Sequence, residues 1–411
     1  MKIIIVEKFY YPYSGIQDYC IDLVRLLQHH GHDVVLYDGF QKITSNITKT
    51  VIEQDYFSKK RFLRGFNSLY SFKISHRFAK LLDEEKPDII HINNIYHYIS
   101  PTILWEAKKR NIPVVYHLHD SKLVCPIHSM YRSNHVCMEC KNQKFFSLVK
   151  HRCSLHKKYA FLESIFLYIE SILHHRFFQI YQHVSIFITP STFLKNAYVS
   201  MGWNYPIVSL PCFSFERKNT LKLFGKKIIV YYGRLIPEKG IMNLIRAVEG
   251  VPLELLIIGK GPQLQELKEE VKKRTIHNVS FLGFKTGNDL IKILQAAHAI
   301  VVPSLLPESG AKAIIESFAL GVCVIGTDRG ANAEMITDGY NGFLFSPGDE
   351  KALKHILQKI SIMPQKTMET MKKHAYKTWK EQYSSEIHYK KIKALYELLL
   401  NKHSKKTDFI K

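Results

Sequence analysis

Residues 301–349 read VVPSLLPESGAKAIIESFALGVCVIGTDRGANAEMITDGYNGFLFSPGD. The chain enters this stretch on AIVVPS (299–304), passes through a helical pattern centred on Ile315, and returns on VCVIGT (322–327). Strand, helix, strand in that order predicts two parallel strands joined by a crossover helix, and unbroken Val/Ile runs predict strands covered by helices on both faces. Upstream, KIIVYYG (227–233), LELLIIG (253–259) and NVSFLGF (278–284) repeat the theme, with helices starting at Gly240 and Pro262.

An earlier series has the same rhythm: IIIV (3–6), DVVLY (33–37), DIIHI (88–92), VVYHL (114–118), SIFIT (185–189) and IVSL (207–210). Between these runs the periodicity predicts a helix from Gly15 to His30 closed by Gly31, one opened by Ser100 and Pro101, a long one over 160–183, and one capped by Ser191. The fold class is therefore α/β, two Rossmann-like doubly wound domains over 1–210 and 211–380. Periodicity is lost between Pro211 and Lys226, and a helical, strongly basic tail covers 381–411. Ligands of such sheets sit beyond the carboxyl ends of the strands, so the loops after each strand are where chemistry is expected.

With 411 residues, 46% apolar and 23% charged, the chain is globular and long enough for two or three cores. Seven cysteines, an odd number, exclude a disulfide scaffold. The first apolar run ends at Glu7, too short for an export signal, and FLESIFLYIESILHHRFFQIY (161–181) carries Glu163, Glu170 and Arg176, too much charge to span a bilayer. A cytoplasmic protein with reduced thiols is expected. Net charge is +22, yet residues 301–350 hold 7 acidic and 2 basic side chains while 351–411 hold 5 and 15. No nucleic-acid-binding motif accompanies the excess, so an anionic membrane surface is the expected partner and nucleic acid ranks last.

Within the acidic island Glu308 follows a strand and Glu316 stands eight positions on. Two helical turns separate them by about 12 Å at most, a span that suits a diphosphate-linked ligand. The intervening helix start offers amides to phosphate or sugar oxygens. An amphipathic helix with a solvated Glu at each end gives the same spacing. Gly233, Arg234 and Lys239, in YYGRLIPEKGI after the strand KIIVYYG, add cations able to neutralise a leaving diphosphate.

Taken with YPYSGIQDY, DIIHINN, VVYHLHD, GRLIPEKG and GVCVIGTDRGANAEMITDGYNGFL, these motifs occur in the order of a known family over nearly the whole chain. The sequence resembles the retaining, nucleotide-sugar-dependent glycosyltransferases of family 4, which have the GT-B fold: two domains facing a cleft, with a C-terminal helix returning to the first. The resemblance implies that Arg234 and Lys239 bind the donor diphosphate, Glu316 the ribose, and Glu308 the sugar hydroxyls. Backbone contacts come from Ser309, Gly310 and Ala311, and Gly15 allows close approach to the phosphates. His119 faces the donor sugar, and His91 and Glu334 fall on family positions of less defined role. The donor implied is a UDP- or GDP-sugar, catalysis needs no metal, and the acceptor, a hydroxyl on a lipid-linked glycan, binds to the first domain. Departures are Ser14 beside Gly15 for a glycine pair, Gly310 and Ala311 for Phe-Gly, and Ala331 and Ala333 for Gly and Pro. The Ala311 methyl clashes if its backbone needs positive φ. A nucleotide-sugar epimerase on the same fold and a non-catalytic binding partner are the alternatives.

Four cysteines, Cys125, Cys137, Cys140 and Cys153, fall in the insertion 121–155, two of them as C-x2-C. This pattern reads as a structural zinc site in which His128, His135 or His151 can replace one thiolate; a redox pair and unconnected thiols are the alternatives. Cys20, Cys212 and Cys323 read as buried apolar residues. Finally, KKRFLRGFNSLYSFKISHRF (59–78) and HKKYAFLESIFLYIESILHHRFFQIYQ (156–182) mix basic and aromatic residues in a way that suits an interface helix on anionic headgroups. A helix packed apolar side inward has the same pattern.

Overall fold

Every long apolar run forms a strand, and the strands group into two sheets. A computed structural model describes residues 1–8, 10, 15–38, 42–43, 68–96, 98–132, 135–154, 159–217 and 227–408. Ser14 and the loop before Gly15, residues 59–67 and 156–158 of the basic aromatic stretches, and 218–226 of the expected join lie outside them.

The chain divides into two units, Met1–Leu210 with Tyr389–Lys411, and Pro211–His388. In the first unit β1 (Lys2–Val6), β2 (Asp33–Tyr37), β3 (Lys42–Ile43), β4 (Ile89–Ile92), β5 (Val114–His117), β8 (Ile186–Thr189) and β9 (Ile207–Ser209) form one sheet in the order β3-β2-β1-β4-β5-β8-β9. All neighbours are parallel except the edge strand β3. The hairpin β6 (Tyr131–Arg132) and β7 (His135–Val136) stands apart from this sheet. In the second unit β10 (Ile228–Tyr232), β11 (Glu254–Ile258), β12 (Val279–Gly283), β13 (Ala299–Val302), β14 (Cys323–Thr327) and β15 (Gly342–Phe345) run parallel in the order β12-β11-β10-β13-β14-β15. Strand order reverses at β1/β4 and at β10/β13, the switch points where open sheets bind ligands.

Central strands are apolar because both faces are covered: Ile3, Ile4, Ile5 and Val6 are all inaccessible, as are Ile229, Val230, Ile300, Val324 and Ile325. Helix α1 (Gly15–His29) turns Tyr19, Cys20, Leu23, Val24, Leu26 and Leu27 inward, the 3–4 spacing expected of a helix on a sheet. Glycine is required where backbones touch. Gly240 has φ +67°, and a Cβ there would lie 2.0 Å from the Pro303 carbonyl oxygen.

Two boundaries differ from expectation. The helix opened by Ser100 starts later, at Ile103, because the Ser100 hydroxyl is engaged with the amide and hydroxyl of Thr102. The long helix over 160–183 is regular only over Ala160–Ile172, then widens into a π turn at Leu173–Phe177. The extra residue in that turn lets the adjacent His174 and His175 both reach the interior. Within the first unit the terminal helix, Ser385–Asp408, lays Tyr389 flat on His30 and sets the Tyr396 hydroxyl 2.6 Å from His91 Nδ1. No helix among the described residues is long and apolar enough to cross a membrane.

Lys122 and Glu170 form an ion pair of 2.9 Å with side chains 6% and 8% exposed. Removing one member of such a pair strands the other charge, at a cost of about 3–5 kcal/mol. Glu170→Ala is expected to lower the urea midpoint of the first unit by that equivalent; an unchanged midpoint would show that the ammonium is not confined.

Candidate active site

At the β10/β13 switch point the loops leaving the two strands converge. The turn Pro237–Lys239, closed by Gly240, carries Lys239, and the loop after β13 carries Glu308. Lys239 Nζ lies 2.6 Å from Glu308 Oε1, which also accepts from the Ser304 hydroxyl. Burial pushes the Glu308 carboxyl toward neutrality, but the Lys239 charge and hydrogen bond, the Ser304 hydroxyl and the nearby Arg234 charge outweigh it and hold its pKa below the ordinary value. Arg234 itself is exposed.

A second loop fixes the backbone of Glu308. The Glu308 carbonyl accepts from the Ala331 amide at 2.8 Å. Gly330, at φ +64°, permits this contact, since a Cβ there would sit 2.6 Å from that same oxygen. Ser309, Gly310 and Ala311 lead into α10 (Lys312–Ala319), whose first turn opens four residues beyond Glu308. Ala311 has φ −85°, and its methyl meets no backbone penalty; the clash expected for positive φ does not arise. Glu316, one turn into α10, is held by the Tyr232 hydroxyl at 3.1 Å and faces Arg217 at 3.7 Å. Lys239 and Arg234 thus face Glu308, while Glu316 is fixed separately by Tyr232 and Arg217. Glu334 is exposed on the short helix after Gly330.

In the first unit, residues directly following strands form a second polar group. Glu7, fully buried after β1, accepts from the Gln17 amide at 3.2 Å and from the Asn94 backbone amide at 2.9 Å. His119, after β5, lies 3.1 Å from Asn93 Oδ1 and stacks on His117 at 4.2 Å. Burial lowers its pKa to about 4, so the ring is neutral at pH 7. Asp120 is paired with His128 at 3.0 Å; burial opposes its charge, but His128 and the Lys122 amide bring its pKa to about 2. Burial also lowers the pKa of Lys8. Sequence reasoning singled out His119 alone here. Glu7, Lys8, Asn93 and Asp120 all stand at strand ends, and that position was the signal available. His91 is fully buried within β4, so its contact with Tyr396 is architectural. Gly15 is the exposed first residue of α1.

Comparison with known proteins bears on this arrangement. Residues 13–213 match the family described as Glycosyltransferase Family 4, and residues 213–378 that described as Glycosyl transferases group 1. An uncharacterized glycosyltransferase of Methanocaldococcus jannaschii, MJ1178, is 25% identical over 87% of this chain and 88% of its own. The chain is a glycosyltransferase. The capsular polysaccharide biosynthesis glycosyltransferase CapM of Staphylococcus aureus is 26% identical over 45% of this chain and 50% of its own. Among solved structures, Anabaena HepE in complex with UDP and glucose superposes with a TM-score of 0.65 at 18% identity, covering 96% of this chain and 99% of that one. The glycosyltransferase has the GT-B fold.

The cysteine insertion is less ordered chemically than its spacing promised. Cys125, Cys137, Cys140 and Cys153 are free thiols within electrostatic range of one another. Burial, reinforced by the neighbouring thiols, pushes Cys140 up to about 12. Among the described residues no group of three or more His, Cys, Asp or Glu side chains is placed to hold a metal ion. His128 and His151 are turned to Asp120 and Glu139, and the His135 side chain lies outside the described set. The geometry thus gives the zinc reading no support.

Burial lowers His119 and His298 to about 4 and His175 to about 3 from an ordinary 6.5. Between those values the unfolded chain binds protons that the folded chain does not, so stability falls as pH drops from about 6.5 toward 4. Urea midpoints are expected to be lower at pH 5 than at pH 7.5; equal midpoints would contradict the burial of these rings.

Proposed function

We propose that this glycosyltransferase moves a sugar from a nucleotide-diphosphate sugar, a UDP- or GDP-sugar, to an acceptor hydroxyl with retention at the anomeric carbon, in the assembly of a surface polysaccharide or glycolipid. The observation that carries the reading is the Lys239–Glu308 pair beside Arg234 at the head of α10. A diphosphate there meets two cations and the amides of a helix start, the combination that stabilises charge developing on a leaving phosphate. Glu308, kept ionised, accepts from sugar hydroxyls, and Glu316, steadied by Tyr232, accepts from the ribose. When a donor enters, its diphosphate takes over the Lys239 ammonium and frees Glu308 for the sugar.

In the transfer step the acceptor oxygen bonds to the anomeric carbon. The bond from that carbon to the β-phosphate oxygen breaks with its electron pair, and the acceptor proton passes to the departing phosphate. Attack from the leaving-group face gives retention, and Arg234 and Lys239 hold the charge released. The UDP and glucose bound to HepE and the capsular role of CapM support the donor class and the pathway type. Neither the epimerase nor the non-catalytic alternative gains support.

The test is product analysis with a panel of UDP- and GDP-sugars and lipid-linked acceptors. The new linkage is expected to keep the donor's anomeric configuration; an inverted product, or an altered sugar nucleotide formed without acceptor, would overturn the proposal. Lys239→Ala is expected to lower kcat by about 10²–10³-fold with its thermal midpoint close to that of the parent, as for loss of one preorganised charge. Unchanged turnover would remove the leaving-group role.

A further inference from the structure

Helix α5 (Ala160–Ile172) is built inside out. Its sequence, AFLESIFLYIESI, holds four polar residues, and three of them face the core: Ser164 is 0% exposed, Glu170 6% and Ser171 6%. Glu170 is the partner of the buried Lys122. The opposite face is apolar and open: Phe161 is 50% exposed, Leu162 68% and Ile169 43%, with Ile165 half-buried between them. At 100° per residue these four positions share one stripe. A helix that packs on its own domain normally turns its apolar stripe inward. Here the stripe faces away from the domain.

The surroundings extend the stripe and charge its border. Helix α4 (Ser147–Lys150) packs beside α5 and brings Phe146, 63% exposed, to Tyr168, with ring centroids 5.9 Å apart. Phe177, 74% exposed, follows in the π turn. Arg152 lies over the Phe161 ring at 5.9 Å, and Lys144, Lys150 and Arg176 are exposed on the same segments. Over residues 140–184 the sequence has 7 Lys and Arg against 2 Glu, one of which is the buried Glu170.

We infer that this α4–α5 face docks on an anionic lipid bilayer, its aromatic and aliphatic side chains entering the headgroup boundary and its Lys and Arg side chains contacting lipid phosphates. Charge decides the occupant. A second copy would press one basic border against another, whereas anionic headgroups complement both the border and the net charge of +22. An apolar stripe with a basic rim is the arrangement of a helix that lies on a membrane surface.

Flotation of the full chain with vesicles tests this. Wild type is expected to float with vesicles of equimolar phosphatidylcholine and phosphatidylglycerol and to remain in solution with phosphatidylcholine alone. Combined Phe161→Ser, Leu162→Ser and Ile169→Ser substitutions should reduce the bound fraction at least ten-fold. Combined Lys150→Ser, Arg152→Ser and Arg176→Ser substitutions should weaken binding to the anionic vesicles, and they decide the matter if the apolar variant does not fold. Ile362→Ser, at an 80% exposed apolar position in the other unit, should leave binding unchanged. Wild type that ignores anionic vesicles, variants that float like wild type, or an apolar variant that converts a dimer to a monomer in light scattering while still floating would each overturn the proposal.

Discussion

The parallel pairing of β10 with β13, in which Val230 lies opposite Ile300, places two loops from distant parts of the chain at one sheet edge. Lys239 rides on one loop and Glu308 on the other, 69 residues apart in sequence and 2.6 Å apart in space. A partly buried ion pair of this kind contributes little net stability, because desolvation offsets most of the Coulomb attraction. Its consequence is orientation. Ser304 from the same loop and the Gly330 backbone from the next fix the carboxylate before any ligand arrives.

The two units use the same device with opposite polarity. In the second, cations and a helix start surround one carboxylate. In the first, Glu7 and Asp120 are ionisable acids held beside the neutral ring of His119, and Lys8 is the cation disfavoured by burial. Both groups grow from the loops that follow strands, so the sheets supply rigidity and the loops supply chemistry.

Most of the architecture was legible because buried parallel strands leave unbroken Val/Ile runs, and β1, β5, β10 and β14 are such runs. The neighbourhood of Lys239 and Glu308 was legible because both lie in short motifs after strands. Other features were hidden. Glu7 looked like a charge ending an apolar run, since nothing local announces that Asn94, from another strand, closes over it. The π turn at Leu173–Phe177 was invisible because periodicity cannot register one inserted residue whose purpose is to bury two adjacent histidines. The inversion of α5 was unreadable because Glu170 is satisfied by a lysine 48 residues earlier and Ser164 and Ser171 by carbonyls of their own helix. The cysteine spacing misled in the other direction: C-x2-C fixes which thiols are neighbours, and the fold decides whether they converge on a point.

From Tyr389 onward the helix Ser385–Asp408 belongs to the first unit although the whole second unit precedes it in sequence. During synthesis on a ribosome, strand β4 and helix α1 emerge hundreds of residues before Tyr396 and Tyr389 are available to cover His91 and His30. The second unit, contiguous in sequence, can complete itself first. The first unit is thus discontinuous, and the cover over His30 and His91 waits for a segment translated after the whole of the second.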